Sequence, residues 1–151
     1  MKIFVGSDHR GFELKKSLIT FLEKLGFTVV DVGPRAYDPN DDYPDFAEQV
    51  CKGVLASKEK GILICGSGNG MARAANKIPG IYASLCWDED TARSSMNDGN
   101  TNVLCLSASA SNTVKAKRIV KAWLSTPFSN EERHMRRVDK VKDIERRYAK
   151  P

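Results

Sequence analysis

With 151 residues, 41% of them hydrophobic and 28% charged, the chain has the size and balance of one ordinary globular domain. No apolar run approaches the roughly 18 residues that a membrane span needs, so no membrane partner is expected. The formal net charge of +5 arises from Lys and Arg interleaved with Asp and Glu, which reads as a solvated surface rather than a nucleic-acid interface.

The opening Met1-Lys2-Ile3-Phe4-Val5-Gly6 reads as a strand over about residues 2–6. It lacks the basic, apolar and small-residue zones of a secretory signal, and a cytoplasmic address is expected. After the loop Ser7-Asp8-His9-Arg10-Gly11, Phe12, Leu14, Leu18, Ile19, Leu22 and Leu25 fall largely on one side of a helix that Gly26 stops. A second strand over about 28–32 leads to a long loop, Gly33 to Pro44, and then to a helix from about Asp45 to Ser57. The third strand, about 61–65, runs into Cys65-Gly66-Ser67-Gly68-Asn69-Gly70 and a helix from Met71 to Lys77. Strands follow near 81–86 and 102–106. The last segment, Glu131 to Tyr148, spaces Met135, Val138, Val141, Ile144 and Tyr148 three or four apart, an amphipathic helix whose apolar stripe needs a partner surface.

Strands alternating with helices predict a doubly wound, Rossmann-like, three-layer α/β/α sandwich with a five-stranded parallel sheet, in one domain spanning 1–151. Ligands in that architecture bind beyond the carboxyl ends of the strands. The loops after the first, third and fifth strands, the last being Ser107 to Ser111, are therefore expected to open on one edge.

The third-strand loop is the richest in chemistry. Its alternating glycines let backbone amides approach a ligand, and those amides with the following helix N-terminus favour negative charge. Such surroundings favour a thiolate, which makes Cys65 a candidate base or nucleophile; the bland alternative is a small buried hydrophobe. A dinucleotide fingerprint would need glycine at position 71, where Met71 stands, and no Walker-type Gly-Lys-Ser/Thr ending exists. The four cysteines form no C-x-x-C pair, so neither zinc nor a disulfide framework is expected. Asp8 and His9 follow the first strand, either as helix caps or as contacts to a sugar or phosphate. Arg133 and Arg137, flanking His134, are four apart on one helical face, a spacing suited to phosphate or to solvent.

Gly6-Ser7-Asp8-His9-Arg10-Gly11-Phe12, Asp42-Tyr43-Pro44, Ile64 to Gly70, Ala75-Asn76-Lys77, Thr101-Asn102-Val103-Leu104 and Arg133-His134 together resemble, in order and spacing, the ribose-5-phosphate isomerase B family and its galactose-6-phosphate isomerase relatives. The resemblance implies a metal-free, cofactor-free aldose–ketose isomerase that interconverts ribose 5-phosphate and ribulose 5-phosphate through an enediolate, with Cys65 as general base. It implies stabilisation of the enediolate by Ser67 and the amides of Gly66, Gly68, Asn69 and Gly70. Asp8 and Tyr43 would hold sugar hydroxyls, and His9, Arg133 and Arg137 the phosphate. It further implies a homodimer with active sites shared between subunits and the last helix packing on the partner, and leaves open whether dimers pair into tetramers.

Two positions depart from the family pattern. Asp98-Gly99 stand where the family usually has His-Asn, the His opening the sugar ring, so Asp98 is the candidate acid–base group beside Gly99 in the substrate site. Ser109 stands where many members carry a phosphate-binding Arg. Some relatives take a base from the position of Met71, which has no proton-abstracting group. These departures leave open an isomerase of another aldose, such as allose or its 6-phosphate, and a non-catalytic sugar-phosphate-binding or nucleic-acid-binding module.

Overall fold

A computed structural model describes residues 1–149; the final two residues of the expected domain lie outside the described residues. The strands are β1 (Lys2–Ser7), β2 (Thr28–Gly33), β3 (Lys60–Cys65), β4 (Ala83–Leu85) and β5 (Val103–Ser107). The helices are α1 (Phe12–Lys24), α2 (Tyr43–Ser57), α3 (Asn69–Ala75), α4 (Glu89–Asn97), α5 (Thr113–Ser125) and α6 (Glu132–Tyr148), with a 3-10 turn at His9–Gly11. The strands form one parallel sheet in the order β2-β1-β3-β5-β4, as the alternating pattern predicts.

Alternate side chains of the strands feed two cores. Ile3, Val5, Ile62, Ile64, Leu104 and Leu106 pack with Leu18 of α1, Met96 of α4 and Trp123 of α5 on one face. On the other, Leu63, Cys65, Val103 and Cys105 pack with Val50 of α2 and Met71 of α3. The helices after β1 and β3 thus leave toward opposite faces, which opens a crevice at the carboxyl ends of these neighbouring strands.

Several boundaries differ from expectation. Helix α2 starts at Tyr43 rather than Asp45, because Pro44 fits the first turn, where its missing N–H has no intrahelical partner to lose. Helix α3 starts at Asn69 rather than Met71: Gly68 adopts φ 81°, a left-handed conformation that turns the chain directly from loop to helix. The edge strand β4 is shorter than the expected 81–86; just before it the Tyr82 amide donates to Asn102 Oδ1 (2.8 Å), while the Tyr82 carbonyl still accepts from Val103 N (3.3 Å).

Helix α6 is tied down at few points. Glu145 accepts from the Gly80 amide and the Tyr82 hydroxyl, both at 3.0 Å, and buried His134 meets Ser129 Oγ at 2.6 Å. Its stripe remains open to solvent in a single chain, with Val141 52%, Ile144 50% and Tyr148 78% exposed. No helix among the described residues is long and apolar enough to cross a membrane.

Candidate active site

The three loops expected at one edge do converge there. Asp8 N donates to Ile64 O (3.2 Å), Ala108 N to Cys65 O (2.9 Å) and Ser109 N to Gly66 O (3.0 Å), so β3 and its loop lie between the other two. Ser107 Oγ reinforces this arrangement by donating to Gly66 O at 2.7 Å.

Cys65 ends β3 and is 4% exposed, with its sulfur turned under the glycine loop. The Gly68 amide donates to Cys65 Sγ at 3.2 Å, and the Asn69 amide donates to Ser67 Oγ at 3.2 Å. Ser67 and Asn69 are exposed above the buried thiol. The other three cysteines sit deeper in apolar surroundings. Burial pushes the Cys51 thiol up to about 11 and raises Cys86 and Cys105 as well, which keeps all three protonated at neutral pH. Among the described residues all four cysteines are free, and no cluster of three or more His, Cys, Asp and Glu side chains could hold a metal ion.

Asp8 takes up a cap. Its Oδ1 accepts from the amides of Arg10 (2.9 Å) and Gly11 (3.2 Å), fixing the 3-10 turn, and the residue is 6% exposed. His9 is oriented by Asp41 from the long loop, whose Oδ1 meets both the His9 amide (2.9 Å) and Nδ1 (2.7 Å). Tyr43 lies over Gly70 and accepts from Arg73 Nη2 at 3.0 Å. Arg10 reaches across to Ser109, its Nη2 donating to Ser109 Oγ at 3.1 Å. A guanidinium therefore stands beside the position where the family pattern leaves Ser109.

The remaining candidates gather elsewhere. Asp98 and Gly99 precede β5 and so lie toward the amino edge of the sheet, away from Cys65 of the same chain. They line a cleft of about 300 Å³ with Asn76, Tyr82, Arg137 and Val138 beneath α6. Asp98 Oδ1 accepts from Asn97 Nδ2 (2.7 Å) and faces His134 Nε2 at 3.6 Å. Arg133 is exposed and bonds through Nε to Glu131 Oε2 at 2.9 Å. Sequence reasoning missed Arg10, Asp41 and Arg73 at the carboxyl edge. Arg10 directly follows Asp8-His9 in the post-strand loop, which was the available signal; Asp41 and Arg73 become neighbours through the fold alone.

A parallel doubly wound sheet with a thiol under a glycine loop, and basic side chains at both edges, fits an enzyme of small anionic substrates. A family model described as Ribose/Galactose Isomerase matches residues 3–141, and the chain belongs to that isomerase family. It is 38% identical to ribose-5-phosphate isomerase B of Mycolicibacterium paratuberculosis, over 100% of this chain and 96% of the relative. It is 45% identical to a probable ribose-5-phosphate isomerase B of Mycoplasma genitalium, over 92% of each chain. Among solved structures, the ribose-5-phosphate isomerase B of Clostridium thermocellum superposes with a TM-score of 0.94 at 40% identity, covering 98% of this chain and 99% of that one. The Mycoplasma genitalium enzyme with bound ribulose-5-phosphate superposes with a TM-score of 0.92 at 43% identity, covering 96% of each.

Proposed function

We propose that this chain interconverts ribose 5-phosphate and ribulose 5-phosphate, with Cys65 as general base. The observation that carries this reading is the thiol at the end of β3, held under a loop whose Gly68 amide donates to its sulfur. In the open-chain aldose, Cys65 as thiolate takes the proton from C2, and the electron pair forms the C1–C2 double bond as charge moves onto O1. A proton passes from O2 to O1, and the thiol then delivers its proton to C1, leaving the carbonyl at C2. On this reading the Ser67 hydroxyl and the amides of Gly66, Gly68, Asn69 and Gly70 stabilise the developing oxyanion, the Gly68 and Asn69 amides turning to it from Cys65 Sγ and Ser67 Oγ; one such donor is typically worth about 3–4 kcal/mol. Asp8 and Tyr43 hold the sugar hydroxyls, and His9 the phosphate.

Asp98, Gly99, Arg133 and Arg137 then serve the active site of a second copy. Their position away from Cys65 in one chain, and the open apolar stripe of α6, support a homodimer in which each subunit completes the other's site. On this reading the chain is a single cytoplasmic domain whose last helix, 131–148, packs on the partner, and Asp98 opens the sugar ring in place of the family's His.

The test is a steady-state assay on ribose 5-phosphate for the parent and for Cys65→Ala, with the fold checked by circular dichroism. Loss of turnover in a folded variant supports the reading, and full activity refutes Cys65 as base. The departures at Asp98, Gly99 and Ser109 leave, as a second reading, another aldose such as allose or its 6-phosphate. A panel of free and phosphorylated sugars separates the two.

A further inference from the structure

Arg10 is a cation at the carboxyl edge to which the proposed reaction gives no part. It sits in the turn between His9 and Gly11, and its Nη2 reaches Ser109, 99 residues away, at 3.1 Å. The rest of its guanidinium lies against the backbone of Gly66, where any side chain at 66 would collide with it. The bare glycine lets the guanidinium rest there, and a side chain at 66 would push it aside. No carboxylate among the described residues forms an ion pair with Arg10. The neighbouring acid, Asp8, is engaged by the backbone amides of Arg10 and Gly11.

This unpaired guanidinium opens on a cleft of about 520 Å³ that it lines with Ser67, Leu85, Trp87, Ser107 and Ser109. No acidic side chain among the described residues lines the cleft. A guanidinium carries five donors in a planar fork, and the bond to Ser109 uses one. What remains is an exposed positive charge lining the same cleft as Ser67, which lies on the loop of the candidate base. Such an arrangement suits a phosphate dianion, which takes paired N–H donors more strongly than a neutral ligand does.

We infer that Arg10, steadied by Ser109 and seated on Gly66, binds the substrate's phosphate from the same subunit that supplies Cys65. The inference rests on the sugar-phosphate reading of the site. It assigns the phosphate one cation that needs no second copy, in addition to those on α6.

The experiment compares the parent, Arg10→Gln and the relocated pair Arg10→Ala with Ser109→Arg. Each is assayed on ribose 5-phosphate and titrated with inorganic phosphate by calorimetry. Arg10→Gln is expected to raise KM about 10- to 100-fold, with a smaller change in kcat, and to weaken phosphate binding by a similar factor. The relocated guanidinium is expected to recover most of both losses, which a purely structural role for Arg10 does not predict. Turnover in the parent with unchanged KM and phosphate affinity in Arg10→Gln overturns the inference and leaves the isomerase reading intact. If the parent fails to turn over ribose 5-phosphate, that reading falls and the phosphate titration alone decides. Binding by the parent that Arg10→Gln loses upholds Arg10; equal binding in both, or none in the parent, overturns it.

Discussion

At the carboxyl edge of the sheet, side chains from separate loops bond to one another across 32 residues between His9 and Asp41 and 99 between Arg10 and Ser109. At the amino edge, Asp98, Gly99 and Arg137 line an open cleft beneath a helix held by Glu145 and His134. The contrast matches what the proposed function asks of each edge. A group that moves a proton must be fixed before the substrate arrives, and the ends of buried parallel strands supply that rigidity. Groups that close over a substrate from a second copy need a surface that can meet another subunit, and α6 with its exposed apolar stripe offers one.

The largest expected effect strikes the finished edge. Cys65→Ala removes the proposed base and is expected to lower kcat about a thousandfold or more, with melting temperature little changed, as measured by steady-state kinetics and thermal scans. Asp98→Asn strikes the open edge and is expected to cost about 10- to 100-fold on ring-closed substrate, with less effect on the fraction of sugar already open, a difference readable in the pre-steady-state phase. An equal loss on both forms would detach Asp98 from ring opening.

The smallest effect concerns the ties of α6. Burial, then the hydrogen bond to Glu145, raises the Tyr82 hydroxyl from its ordinary 10.0 to about 12. A raised folded value means that the neutral Tyr82 contributes stability fully below pH 10 and loses it as pH climbs toward 12. Glu145→Ala should therefore bring the Tyr82 titration, followed by ultraviolet absorbance, back down. It should also cost about 1–2 kcal/mol of stability through the two lost hydrogen bonds. An unmoved titration would mean that burial alone sets it.

Much of this was legible in the sequence. Apolar runs of strand length gave the sheet, and the loops after the first, third and fifth strands marked the carboxyl edge because parallel strands all point the same way. The same logic places Asp98, just before the fifth strand, at the opposite edge. The start of α2 also had a signal, Asp42 followed by Tyr43-Pro44, since proline suits a first turn. The partners of the site residues had none. Asp41 on His9, Arg73 on Tyr43 and Arg10 on Ser109 join segments 30 or more residues apart, and side-chain contacts of that kind depend on how the loops fold over the sheet.

The division of the site between two copies is tested most directly by mixing Cys65→Ala with Arg137→Ala under conditions that allow subunits to exchange. Random pairing makes half the dimers mixed, each with one intact site, so about a quarter of the parent's activity on ribose 5-phosphate should return. If the mixture is no more active than the two variants assayed apart, the thiol and the arginine do not meet across a subunit boundary.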